Sequence, residues 1–315
     1  MTKPLFQWNY IIEGLLPPGI SLQQKVQLSD ENILLTTREG KLKAYVLGVD
    51  DLDRGKQQLS RYLQFAALIS LNRVTYSGGS GASIRSKSEL GTKPELDITF
   101  RPVIPDEAIK AIQPHVIKYL SEISRIHDLY QITITENKFL RLSLDFFYES
   151  QISSAYSDEG LIKSIISMEA LFNDGSTDIS YKLALRAAFI LSPIFSDTLT
   201  VFNNLKKAYS CRSKIVHGSG ADINVDGELQ SNICHYNRSA LMIFMILLNN
   251  PTRQRWPKNK RKDCLMQQID HAMIDLEKRN LMIQEITHDI PNFNIEVPRS
   301  FEGEAHNKPW RFSPW

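Results

Sequence analysis

Between Pro105 and Pro251 the apolar residues of this chain recur at three- and four-residue intervals, segment after segment. That rhythm constrains the fold more than any other feature, because it is the period of a helix with one buried face. Residues 106–127 carry Ala108, Ile112, Val116, Ile117, Leu120, Ile123 and Ile126 at this spacing, with Pro114 a point for a break or kink. Residues 136–151 repeat it with Phe139, Leu142, Leu144, Phe146 and Phe147. Residues 158–172 follow with Leu161, Ile162, Ile165, Ile166, Met168 and Leu171, and Asn173-Asp174-Gly175-Ser176 reads as a turn. Three further helices are expected over 180–191, 197–217 and 228–249. Pro193, the pair Gly218 and Gly220, and Pro251 stop them, with glycine suited to a left-handed cap. Helices in series with short connections make an antiparallel bundle.

The flanks read differently. Residues 6–12, 33–37 and 42–47 are short runs rich in β-branched and aromatic side chains, bounded by Gly, Pro and charge, and they predict strands. Residues 51–72 predict a helix that Asp51 or Asp53 can cap. The stretch Ser77-Gly78-Gly79-Ser80-Gly81-Ala82-Ser83 lacks the Gly-Lys-Ser/Thr ending of a phosphate loop and reads as a connection between strands; residues 96–103 predict one more strand. After Pro251 come the six cations Arg253, Arg255, Lys258, Lys260, Arg261 and Lys262 around Trp256. A helix over 263–286 and a tail rich in Pro and aromatics follow. The expected class is therefore α+β. A mixed α/β domain (1–103) precedes an all-α helical bundle (104–250), and a basic linker, helix and irregular tail (251–315) form the C-terminal extension.

With 42% hydrophobic residues the chain can bury a sizeable core and is no disordered protein. A net charge of only +2 means that any binding of nucleic acid must come from a local patch. The cysteines, Cys211, Cys234 and Cys264, are odd in number and widely spaced, which fits a reducing compartment rather than a disulfide framework. None forms a Cys-x-x-Cys, and no metal or cofactor is expected. The first ten residues hold no apolar run of signal-peptide type. The most apolar stretch, Ala240 to Leu248, is far shorter than the roughly 20 residues of a membrane span and reads as the buried end of a helix. A cytoplasmic protein without a membrane partner is expected.

At the tail of the helix over 197–217 stands Arg212-Ser213-Lys214-Ile215-Val216-His217. An arginine fork grips phosphate oxygens in two places, and an imidazole titrates near neutral pH. Together they can cut RNA without a metal: the 2′-hydroxyl attacks its own phosphate, one group takes that proton, and another protonates the leaving oxygen. An Arg and a His are also what the dipole of a helix C-terminus favours for structural reasons. Five residues of ideal helix set the two side chains about 140° apart, so they cannot share one phosphate on a straight helix. Either the helix loosens at Gly218, or two copies of the chain bring the motif together twice across a two-fold interface.

The phrases Ser167-Met168-Glu169-Ala170-Leu171, residues 180–188 (SYKLALRAA) and residues 205–209 (LKKAY), the last running into the Arg212–His217 motif, follow one another in that order. In that order they resemble the HEPN superfamily, and within it the Apea-like branch, over roughly 137–250. The resemblance implies an all-α bundle that dimerises with its arginine–histidine motif at the interface. It implies a metal-independent endoribonuclease of toxin–antitoxin, CRISPR or abortive-infection type, a hydrolase in anti-phage defence. Arg212 and His217 take the catalytic positions, and Ser213 the position where the family tends to carry a polar residue. Family members without the motif are binding or scaffold modules, so an RNA- or nucleotide-binding module acting with a partner is the alternative.

Other residues carry less. Glu169 is acidic on an apolar helix face and can orient His217, pair with Arg212, or pair with Arg186 as a structural bridge. Lys214 and Lys207 add positive potential or simply solvate a helix face. Tyr209 can stack a base or pack in the core, and His235 beside Cys234 offers no second pair for a metal. The cations from Arg253 to Lys262 suit an RNA track with Trp256 stacking a base, or a solubilising linker. Residues 1–103 show no motif. A sensing role there, toward a phage-derived or cellular trigger, would explain how a nuclease of cellular RNA is restrained.

Overall fold

The computed structural model describes residues 5–13, 15–16, 22, 26–27, 33–38, 41–47, 52–70, 74–84, 106–153, 157–175, 177–217 and 226–293. They confirm an α+β chain, mostly helical, with an antiparallel sheet at the N-terminal end. The expected strand over 96–103, the Gly218 and Gly220 cap, and the tail from 294 onward lie outside the described residues.

Residues up to Asp128 belong to one compact unit and residues 129–294 to a second. In the first, strands β1 (Leu5–Glu13), β2 (Val26–Gln27), β3 (Ile33–Arg38), β4 (Lys41–Leu47) and β5 (Thr75–Ile84) form one sheet in the order β2-β3-β4-β1-β5. Tyr10, Ile12, Leu35, Ala44 and Val46 are buried, and helix α1 (Leu52–Ser70) packs on β4 and β5. From Tyr62 to Ile69 every residue of α1 is buried, Gln64 among them.

One expectation fails here. The Gly/Ser stretch from Ser77 to Ser83 is not a connection but the body of β5, paired along β1 from Leu5↔Ile84 to Glu13↔Thr75 with a register shift between Asn9 and Ile11. Glycine and serine have low strand propensity, but a neighbouring strand supplies the ladder regardless of side chain.

Helix α2 (Asp106–Glu136) runs through Pro114 without a break and well past the expected end at His127. Asn137 separates it from α3 (Lys138–Ile152): its backbone is extended, and its buried side-chain amide donates to the Thr133 carbonyl at 2.6 Å. Next come α4 (Asp158–Phe172), α5 (Ile179–Leu191), α6 (Thr198–Val216), α7 (Gly227–Asn249), the short α8 (Pro251–Gln254), α9 (Arg261–Ile274), α10 (Leu276–Asp289) and a final 3-10 turn, Ile290–Phe293. Side-chain caps set several starts. Ser157 accepts from the Gly160 amide, Asp197 from Thr200 and Asp226 from Glu228. Asp178, before α5, is the one non-glycine residue with positive φ (54°) among the described residues.

The helix expected over 263–286 is two helices. Asp275 breaks it with an extended backbone, and its carboxylate accepts from the Lys278 amide at 3.1 Å as the cap of α10. An Asp inside an amphipathic pattern can end a helix by offering the backbone a better partner.

Helix α3 packs on α4, α4 on α7, and α5 on α6; α10 packs on α9 and on α7. Every residue of α7 from Tyr236 to Leu248 is buried, including the expected apolar end from Ala240. No helix among the described residues is long and apolar enough to cross a membrane.

The α3–α4–α7 seam holds a buried polar cluster. The Ser167 hydroxyl lies 2.7 Å from the Ser143 carbonyl, 2.9 Å from the Ser143 hydroxyl and 2.9 Å from Oδ1 of Asn237. The Asn237 side-chain amide donates to the Ser164 carbonyl at 3.2 Å. Asn237→Leu keeps the number of side-chain heavy atoms but takes one acceptor from Ser167 and leaves the buried Ser164 carbonyl without its side-chain donor, so a loss of about 1–3 kcal/mol is expected, read as a lower urea midpoint at unchanged slope.

Candidate functional site

Along α6 the buried residues are Val201, Leu205 and Ala208. At about 100° per residue, Arg212 continues that stripe and His217 lies about 140° away from Arg212. The structure matches this phase. The Arg212 side chain is 23% exposed and points toward α4, where Nη2 lies 3.7 Å from Oε2 of Glu169. His217 is exposed at the C-cap, and its backbone N–H donates to the Ser213 and Ile215 carbonyls. Its φ of −90° is close to the helical value, so the imidazole leaves near the direction the helix would give it. Within one chain the two motif side chains leave α6 on different faces.

Glu169 therefore pairs with Arg212, and of the three roles open to it this is the one observed. At 3.7 Å the contact is an ion pair without a close hydrogen bond, so it orients the guanidinium without saturating it. The ring of Tyr209 lies 5.9 Å below the Arg212 guanidinium carbon. Its phenol pKa is held above the ordinary value, first by burial, then by the negative charge of the Glu169 carboxylate. Tyr209 is half-buried rather than a core residue. The Nε–H of Arg212 is buried and has no acceptor among the described residues.

Ser213 is half-buried; its carbonyl holds the His217 amide at 3.1 Å. Lys214 is exposed. Lys207 is exposed and stands 4.0 Å from Asp226.

Arg186 belongs to a different assembly. It is only 3% exposed, and its fork grips both carboxylate oxygens of Asp270 at 2.7 Å each. It also donates to Asp174 at 2.7 Å and to the Phe172 carbonyl at 2.8 Å. Burial opposes its charge, but the hydrogen bonds of Asp270 and Asp174 outweigh that and raise its pKa. The site joins α5 to α9 and to the end of α4.

The run from Arg253 to Lys262, read from the sequence as an RNA track or a solubilising linker, is not one cationic face. Arg253 is buried and donates to the Leu247 carbonyl at 3.0 Å, Glu285 at 2.6 Å and Gln268 at 2.9 Å. Arg261 is buried and donates to Glu136 at 3.0 Å and to the Trp256 carbonyl at 3.3 Å. Lys258 is exposed but pairs with Glu136 at 2.8 Å. Lys262 is half-buried over the Phe139 ring, and burial lowers its pKa. Trp256 is half-buried; Arg255 and Lys260 are exposed. A buried arginine with protein acceptors on its fork is a structural tie and cannot grip a phosphate.

Cys211, Cys234 and Cys264 are free thiols. The Gln151 amide donates to Sγ of Cys234 at 3.1 Å, and burial raises that thiol's pKa. Burial, with Arg238 nearby, lowers the pKa of His235.

Sequence reasoning placed Tyr209 in doubt and missed Asp174, Asp270 and the Ser143–Ser167–Asn237 cluster. Tyr209 had a local signal, standing three residues before Arg212 on one helix. The two aspartates had none, because Asp270 meets Arg186 only through the packing of α9 on α5. No protein-family model matches this chain, and neither a curated protein nor a solved structure matches it.

Proposed function

We propose that this chain is a metal-independent endoribonuclease of the HEPN type, cutting RNA in the cytoplasm as part of anti-phage, abortive-infection defence. In this reading the helical unit is a HEPN bundle and acts as a homodimer. The observation that carries it is the phase of α6. Arg212 is braced at the α4–α6 seam, while His217 stands free to solvent on another face. One chain thus offers half of a site, and two copies related by a two-fold axis would supply two arginines and two histidines. The arginines would hold the phosphate oxygens and stabilise the charge that builds on them. One histidine would take the proton of the attacking 2′-hydroxyl, and the other would protonate the leaving oxygen. The N-terminal α/β unit is assigned the restraining role, answering a trigger of phage or cellular origin.

The test uses purified protein and single-stranded RNA in EDTA. The expected products carry 2′,3′-cyclic phosphate ends. Intact RNA in EDTA with cleavage restored by a divalent cation would overturn the metal-independent mechanism.

The alternative, a module that binds RNA or nucleotides with a partner, draws on one observation. Among the described residues, no side chain hydrogen-bonds the His217 imidazole to set its tautomer. Retention of intact RNA by the wild type, lost in Arg212→Ala but kept in His217→Ala, would favour it.

A further inference from the structure

Two of the partly or fully buried arginines of the helical unit, Arg186 and Arg212, are held in opposite ways. Arg186 is fixed by hydrogen bonds to three protein groups, Asp270, Asp174 and the Phe172 carbonyl. Among the described residues Arg212 has only the long ion-pair contact to Glu169, and its Nε–H has no acceptor. What lies against its face is the Tyr209 ring. We infer that Tyr209 is a positioning residue for Arg212, an inference that rests on Arg212 being the phosphate-gripping group proposed above.

The Tyr209 ring is a platform under the guanidinium, where an arginine gains from the negative face of an aromatic π-system. The Glu169 carboxylate meets the same guanidinium from α4. Core packing does not account for it, because the buried stripe of α6 runs through Val201, Leu205 and Ala208, and Tyr209 lies beside that stripe, half-buried. A free arginine side chain samples many rotamers and loses that freedom on gripping a phosphate. A bracket that fixes the plane beforehand removes the loss at the moment of binding. It also leaves donors of the guanidinium unsaturated, since neither the ring nor the long Glu169 contact satisfies them.

Removing the arginine should leave the bracket empty and able to take a guanidinium ion from solution. The experiment is ligand-observed saturation-transfer NMR with ethylguanidinium on full-length Arg212→Ala, alone and combined with Tyr209→Phe, Tyr209→Leu or Glu169→Gln. Ethylguanidinium is expected to bind Arg212→Ala. Binding should hold within about threefold when Tyr209→Phe keeps the ring, and weaken by about tenfold with Tyr209→Leu. Glu169→Gln removes the charge at constant volume and should weaken binding by about as much, which keeps the test decisive if the leucine variant does not fold. Equal binding with and without the ring, or none to Arg212→Ala, would overturn the inference. In the RNA assay, Tyr209→Leu in the otherwise native chain should lower kcat about tenfold with KM little changed, and Tyr209→Phe should retain most of the rate. A wild type that cuts no RNA but whose Arg212→Ala variant binds ethylguanidinium through the ring would retire the ribonuclease reading and leave the bracket standing.

Discussion

Replacing His217 by alanine is expected to lower the rate of RNA cleavage by about two to four orders of magnitude, the usual contribution of a positioned acid or base. The fold should not change, because the imidazole is exposed and the helix ends through backbone bonds to Ser213 and Ile215. Far-UV circular dichroism and the melting temperature should match the wild type. A cleavage rate equal to that of the wild type would remove His217 from the mechanism. The variant also tests whether the proposed site is composite. If both histidines of a dimer are needed, a mixed dimer is inactive. Diluting wild-type chains with His217→Ala chains that exchange freely should then reduce activity as the square of the wild-type fraction. A linear fall would mean that each chain cuts alone, and His217 would then have to swing round to Arg212 by unwinding the last turn of α6.

The second large effect is on stability. Arg186→Ala should destabilise the helical unit by about 3 kcal/mol, the lower end of what breaking a buried ion pair costs. The lower end applies because Asp270 and Asp174 keep side-chain exposures of 41% and 26% and can turn to water once the arginine is gone. The Phe172 carbonyl would lose its donor as well. In a unit of this size that corresponds to a melting temperature lower by about 6–12 °C. Arg186→Lys should rescue little, since an ammonium cannot span both oxygens of Asp270 while reaching Asp174. A melting temperature within 2 °C (about 1 kcal/mol or less) of the wild type would contradict this account. The hydrogen bond from Arg186 also holds the Asp174 carboxyl below its ordinary range. Its contribution to stability is therefore complete above that range and is lost as pH falls through the lowered value.

The helices from α2 to α7 were legible because each writes its buried face into the sequence at a period of three to four residues. The phase of α6 was legible too: Val201, Leu205, Ala208 and Arg212 fall on one side and His217 on another. Asp275 was hidden inside an amphipathic pattern that continues on both sides of it. Strand β5 was hidden because its Gly and Ser residues owe their conformation to β1 and not to themselves. The partners of the arginines were out of reach for a third reason. Arg253 and Arg261 sit in a run that looks solvated, yet each is claimed by an acid far along the chain, Glu285 and Glu136. Local charge patterning reports where cations are dense, not which of them the packing turns inward.

Those inward arginines bear on what can be cut out of this protein. The sequence suggests a bundle that closes near residue 250, but Arg253 holds the last turn of α7 through the Leu247 carbonyl, and α10 packs against α7. A fragment ending at residue 250 would uncover part of α7, buried at every residue from Tyr236 to Leu248, and free the carbonyl that Arg253 tethers. During synthesis the ribosome delivers that helix before its C-terminal cover, so for a time the nascent chain carries a sticky, half-dressed core. The last helices then act as a clasp, and the bundle is finished only when they arrive.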